Sequence, residues 1–156
     1  MMDTRFIADT MLGKLAKWMR LLGCDVEYFP SIPDDELVER ADRSRRLILT
    51  RDTLLIRRRK ARENHFFVLY DGYKDQLRQV VRAFSIDPES RVLTRCLLCN
   101  EPLDEIEKSA AAARVPPYVY RTQETFVTCR SCRRIYWKGT HREAVERQLK
   151  EILGAG

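Results

Sequence analysis

The chain has 156 residues, enough for one ordinary domain or two small ones, and its 44% hydrophobic and 33% charged content excludes a disordered polypeptide. Its net charge of +6 comes from both parts, 17 Lys/Arg against 15 Asp/Glu in residues 1–90 and 12 against 8 in the rest, an excess that suits an anionic partner, nucleic acid first, and equally serves solubility. No apolar run approaches the roughly 18 residues of a membrane helix, and the start MMDTRFIADT lacks a signal-peptide layout, so a cytoplasmic protein with reduced cysteines and no membrane partner is expected.

Arg5 to Ala8 is a short apolar run that ends at Asp9. Leu12, Leu15, Ala16, Met19 and Leu22 then recur at helical spacing, and Gly23 stands where a helix stops. Val26 to Phe29 reads as a second strand, broken by Pro30 and Pro33. Asp34, Asp35 and Glu36 open a helix to about Ser44, acids first and bases last, as the helix dipole favours. Arg46 to Thr50 is a third strand with Asp52 just beyond it. A basic helix is expected from there to about Arg62, then a fourth strand from Phe66 to Tyr70 ending at Asp71-Gly72. Tyr73 to Phe84 is a helix with Leu77, Val80, Val81 and Phe84 on one face. Strands alternating with helices predict an α/β fold with a mostly parallel sheet flanked by helices.

Composition shifts near Ser85 to Pro88, which predicts one domain over residues 1–90 and a second over 91–156. Residues 104–125 read as polar and irregular, with Pro116-Pro117 in the middle, and His141 to Leu153 as a final amphipathic helix.

In a parallel sheet, Asp9, Asp34, Asp35, Asp52 and Asp71 all fall at the carboxyl ends of strands, the edge where such folds bind ligands. Two like charges 4 Å apart repel by about 4 kcal/mol at an effective dielectric of 20. Protonation, nearby Lys/Arg or divalent cations must offset that repulsion. Oxygen-only ligands suit Mg²⁺ or Mn²⁺, and such ions activate water and stabilise charge on a phosphodiester. Four of these acids also have a structural alternative: Asp9, Asp34 and Asp52 as helix caps, Asp71 as part of a turn. Lys14 and Arg20 on the first helix, with Arg51, Arg57, Arg58, Arg59 and Lys60, are candidate contacts for a nucleic-acid backbone. A solvated charged face is the alternative for the run 57–60.

Cys96-x-x-Cys99 and Cys129-x-x-Cys132 pair the cysteines as tetrahedral Zn²⁺ sites do. Four thiolates leave no open position, so the zinc would be structural and contribute about 10–16 kcal/mol to folding. Two disulfides, a redox pair or an iron–sulfur cluster are the rivals. Cys24 reads as a buried apolar residue, and His141 as a fifth candidate ligand or a surface helix-start residue. Arg130, Arg133, Arg134, Tyr136, Trp137 and Lys138 mix charge with aromatic rings, which suits either single-stranded nucleic acid or a small core around the metal.

Several segments in order resemble the Mut-seven carboxy-terminal RNase family: Phe6 to Asp9, Met11 to Gly23, Leu47 to Asp52, Arg95 to Asn100, Arg114 to Pro117, and Cys129 to His141. The resemblance covers nearly the whole chain. It implies a PIN-like domain with an appended zinc ribbon, divalent-metal chemistry and RNA as substrate. Its first acid falls on Asp9, its third-strand acid on Asp52 and its second-helix acid on Asp34, with Asp35 one residue away and Asp71 beyond. A divalent-metal-dependent ribonuclease, cutting internally, is the expected function. The alternative is a module that binds RNA, the ribosome or tRNA through the zinc ribbon without cutting.

Overall fold

The structure is a computed structural model that describes residues 3–137 and 140–154. Four short strands, β1 (Phe6–Ala8), β2 (Val26–Tyr28), β3 (Leu47–Thr50) and β4 (His65–Phe67), form a sheet in the order β2-β1-β3-β4. All three strand pairs are parallel. The chain steps from β1 outward to β2 and then back across β1 to β3. Right-handed crossovers in opposite directions place their helices on opposite faces. Thus α1 (Gly13–Leu21) and α4 (Tyr73–Ala83) cover one face, and α2 (Asp34–Ser44) and α3 (Arg59–Arg62) cover the other.

Strand alternation divides the core accordingly. Phe6, Ala8 and Leu49 pack with Leu15, Met19, Leu77 and Val80. Ile7 and Ile48 pack with Leu37, Val38, Ala41, Leu55 and Ala61. With both faces covered, the strands are almost wholly apolar.

A second sheet is antiparallel, in the order β5 (Leu103–Ile106), β6 (Phe126–Cys129), β7 (Ile135–Trp137). Its small core gathers Ala111, Val115, Val119 and Phe126, with Ile106, Ile135 and Trp137 packed against them. The last helix, α7 (Thr140–Gly154), returns to the first sheet's side: Leu149 and Ile152 are buried in the core of α1 and α4, and Arg78 donates to the Ile152 carbonyl. Sequence grouped this helix with the cysteines, but its apolar face packs away from them.

Local differences from expectation have local causes. The basic helix is broken: a 3-10 turn over Leu55–Arg57 and the single-turn α3 are separated by Arg58, which is extended at φ −66°, ψ 135°. The fourth strand is shifted toward its start, because Phe67 is its last paired residue, opposite Thr50. Residues 104–125 hold β5, α5 (Lys108–Ala111) and α6 (Pro117–Thr122) rather than an irregular run. Pro117 begins α6 at a position where a missing N–H costs nothing. Lys138 and the side chain of His141 lie outside the described residues.

Gly23 ends α1 as the pattern predicts. Its N–H meets the Arg20 carbonyl at 2.9 Å and the Cys24 N–H meets the Met19 carbonyl at 3.0 Å, the two bonds of a Schellman cap. Its φ is +91°, and a Cβ there would lie 2.6 Å from the Arg91 Cβ and carbonyl oxygen. Gly23→Ala is therefore expected to lower unfolding free energy by about 2–4 kcal/mol, from left-handed strain plus overpacking. Urea denaturation followed by far-ultraviolet dichroism measures it.

Candidate functional site

The strand order reverses at β1, so the crevice between the carboxyl ends of β1 and β3 is the sheet's switch point. Asp9 leaves β1 on one side of it and Asp52 follows β3 on the other. Thr50, wholly buried as the last residue of β3, joins them. Its hydroxyl donates to Asp9 Oδ2 at 2.8 Å and accepts the Asp52 N–H at 2.9 Å. Asp9 Oδ1 accepts the Thr10 N–H at 2.8 Å, and Asp52 Oδ1 accepts the Leu54 and Leu55 N–H groups. Both acids therefore do cap the turns that follow them, and the same bonds fix their direction. Thr50 went unnoticed in sequence. Its only signal was a hydroxyl at the end of an apolar strand, two residues before an acid.

Asp34 enters from the first turn of α2. Burial first, then the charges of Asp9 and Asp52, raise its carboxyl above the ordinary range, against the opposing pull of Arg58. Asp34 therefore feels the charges of Asp9 and Asp52 from the start of α2. Asp35 is its exposed neighbour and contributes a smaller push of the same sign. Asp71 is at the rim, almost fully exposed, and its carboxylate pairs with Arg51, whose guanidinium also donates to the Val68 carbonyl. Lys14 lies over the Tyr73 ring, which stacks on Trp18.

Among the described residues, no Lys or Arg nitrogen lies within 4.0 Å of a carboxylate oxygen of Asp9, Asp34 or Asp52. The opposite end of β2 shows what compensated acids look like here. Asp25 is paired with Arg46 at 2.6 Å and flanked by Arg5 and Arg95. Glu27 takes both arms of Arg40 and stands 3.2 Å from Arg46 Nε, close enough for charge though not aligned as a hydrogen bond. Despite burial, which acts to raise it, Asp25 is held below the ordinary carboxylate range by Arg46 and Asn100.

The oxygen-only donors of the three unpaired acids fit a hard cation in kind. They are splayed: among the described residues, only the four cysteines bring ligand atoms all within 4.8 Å of one another. A Mg²⁺ ion that keeps several waters suits such an open arrangement better than a closed cage does.

Arg20 is not at this edge. It is 7% exposed, and its guanidinium donates to the carbonyls of Val26, Leu97 and Leu98. A side chain so enclosed is removed from the set available to a nucleic-acid backbone. Of the basic run, Arg57, Arg58 and Arg59 are exposed, while Lys60 is engaged by Glu39 and Asp42.

Cys96, Cys99, Cys129 and Cys132 meet at the tips of two knuckles, and all five cysteines are free thiols. Cys96 Sγ and Cys132 Sγ are 3.7 Å apart. A tetrahedron with Zn–S bonds of about 2.3 Å has edges of about 3.8 Å, so the spacing fits zinc and is far too long for a disulfide. Close thiols resist sharing negative charge. Burial works to raise Cys96, but bonds from the Tyr136 hydroxyl and the Cys99 and Leu98 N–H groups bring it down to about 7. Burial and the neighbouring thiols push Cys99 up to about 12. Tyr136 thus serves the knuckle, with its oxygen 3.3 Å from Cys96 Sγ and accepting the Leu97 N–H, and Trp137 packs in the small core. Cys24 is buried as expected, its thiol pushed up to about 11 chiefly by burial.

The family model described as the Mut7-C RNAse domain matches residues 4–149. No curated protein and no solved structure matches the chain.

Two outcomes follow from the acidic group. Thr50→Val keeps the strand's shape but strands an acceptor site at Asp9 and a donor at Asp52; a loss of about 1–3 kcal/mol is expected in denaturant unfolding. A raised carboxyl binds its proton more tightly folded than unfolded, so its share of stability falls as pH rises from the ordinary carboxylate range through the raised folded value. Asp34→Asn should therefore melt higher than wild type near neutral pH in a thermal denaturation followed by circular dichroism.

Proposed function

The chain belongs to the Mut7-C RNAse domain family, and from that premise we propose that it is a divalent-metal-dependent ribonuclease cutting within RNA at the edge that holds Asp9, Asp34 and Asp52. One observation carries this reading. Asp9 and Asp52 flank the switch point of a parallel sheet, Asp34 opens the helix after the neighbouring β2, and among the described residues no Lys or Arg nitrogen stands within ion-pair distance of these three carboxylates. Other acids in the same fold do have such partners, so lack of available arginine is not the reason.

Asp9 and Asp52, fixed through Thr50, would be the principal ligands of one or two Mg²⁺ or Mn²⁺ ions, with Asp34 facing them from α2. A bound divalent ion supplies Lewis acidity toward a phosphoryl oxygen and lowers the pKa of water. Asp35 would orient a water at the margin of the group. Asp71 holds the Arg51 guanidinium at the rim, where it would meet a backbone phosphate, and Lys14, Arg57, Arg58 and Arg59 would extend that contact. Lys60, tied to Glu39 and Asp42, would add little.

The cysteine cluster would hold a structural Zn²⁺, supported by its spacing and by the conflict among its thiols. Residues 1–90 would form the nuclease unit and the cysteine module its appendage, with α7 tying the two together. Five free thiols favour a reducing, cytoplasmic setting, and no described helix is long and apolar enough to cross a membrane. A second reading, a module that binds RNA, a ribosome or tRNA without cutting, draws on the exposed Arg133 and Arg134 beside the cysteines.

Labelled RNA incubated with Mn²⁺ should be cut, and an EDTA control should not. Asp9→Asn combined with Asp52→Asn should abolish cutting while the circular-dichroism spectrum stays that of wild type. Undiminished cleavage by that double variant would remove the mechanism, and RNA binding without cleavage by wild type would favour the second reading. Cys129→Ser with Cys132→Ser should reduce bound zinc, measured by atomic emission, from one per chain to none.

A further inference from the structure

The outer edge of β2 is closed by two side chains rather than by another strand. Val26 donates its N–H to Asn100 Oδ1 at 3.0 Å, and its carbonyl accepts Arg20 Nε at 2.8 Å. Both closing residues lead directly to the cysteine cluster. Asn100 follows Cys99, is buried, and is left-handed at φ 65°. Its N–H bonds the Cys96 carbonyl at 2.9 Å, closing the first knuckle, and its amide donates to Asp25 at 2.7 Å. Arg20 reaches the same knuckle through the carbonyls of Leu97, at 2.9 Å, and Leu98.

The far end of β2 leads to the acidic edge. Tyr28 donates its hydroxyl to the Thr10 carbonyl at 2.7 Å, and Gly13 packs so close to that ring that a Cβ would stand 2.9 Å from the hydroxyl oxygen. Thr10 begins the turn that Asp9 caps. A strand of three residues thus separates the metal knuckle from the loop that orients Asp9.

We infer that Asn100 and Arg20 are positioning residues through which occupancy of the four-cysteine cluster sets the order of β2 and of the loop holding Asp9. The knuckle geometry that zinc fixes is the geometry in which Asn100 meets Val26. Loosening it frees both hydrogen-bonding groups of Val26 at the sheet edge, and Tyr28 then holds Thr10 from a strand secured on one edge only, by β1. The inference rests on the zinc reading above, its Mn²⁺ readout rests also on the proposed ion site at Asp9, and it is independent of whether the protein cuts RNA.

Asn100→Gly separates the roles of this residue, since glycine keeps the left-handed turn and removes only the side chain. The full-length variant should retain one zinc per chain. In amide hydrogen exchange, Val26 should exchange at least about tenfold faster than in wild type. Thr10 to Leu12 should move the same way, Mn²⁺ binding should weaken about threefold or more in a calorimetric titration, and β3 should be unchanged. The zinc-free Cys129→Ser/Cys132→Ser protein should show the same local pattern, and if that variant unfolds, Asn100→Gly alone decides. Unchanged exchange at Val26 with zinc retained would overturn the inference. So would faster exchange at Val26 with Thr10 to Leu12 and Mn²⁺ affinity unmoved. Wild-type protein without bound zinc would overturn the zinc reading and this coupling together, whereas failure to cut RNA would overturn only the nuclease reading.

Discussion

All four strands of the first sheet run the same way, so the residues that follow them are delivered to one edge. When those residues are aspartates, the fold concentrates negative charge at that edge. Asp9 is buried there and Asp34 and Asp52 are half-buried, and the repulsion is eased by the backbone N–H groups and the Thr50 hydroxyl that hold two of the acids. The Asp34 carboxyl is raised first by burial and then by the charges of Asp9 and Asp52.

The same chain solves the opposite problem a strand's length away. Asp25 and Glu27, flanking the start of β2, are surrounded by Arg5, Arg40, Arg46 and Arg95. Buried charge there is satisfied internally and ties the first sheet to the segment that carries the first cysteine pair, through Arg95 and Asn100. One cluster of acids is structural because its cations are built in, and the other is available because they are not.

The two candidate metal sites differ in hardness as well as place. Four thiolates at a tetrahedral spacing suit a soft-tolerant ion that never leaves, in a module whose own apolar core is a handful of residues. Oxygen donors at an open edge suit a hydrated ion that exchanges with solvent. β2, three residues long at the sheet margin, is all the strand that lies between the two candidate sites.

Much of this was legible in the sequence, for physical reasons. Apolar periodicity identified α1, α4 and α7, since each buries one apolar stripe, and the order of charges identified α2. The doubled Cys-x-x-Cys spacing identified the cluster, since a turn of that length presents both thiols to one ion. The alternation of strand and helix put Asp9 and Asp52 on a common edge, since parallel strands share a direction. Tertiary structure alone decided the rest. Arg20 reads as a surface base on its helix, but the packing of the cysteine module over it made it a buried link. β5 and α6 carry no periodic signal, because their partners lie across β6 and within a small core. Thr50 and Asn100 are ordinary polar residues until the fold brings a carboxylate to one and a strand edge to the other. Which acids stay unpaired is likewise a matter of distance between residues far apart in the chain, and linear order does not specify those distances.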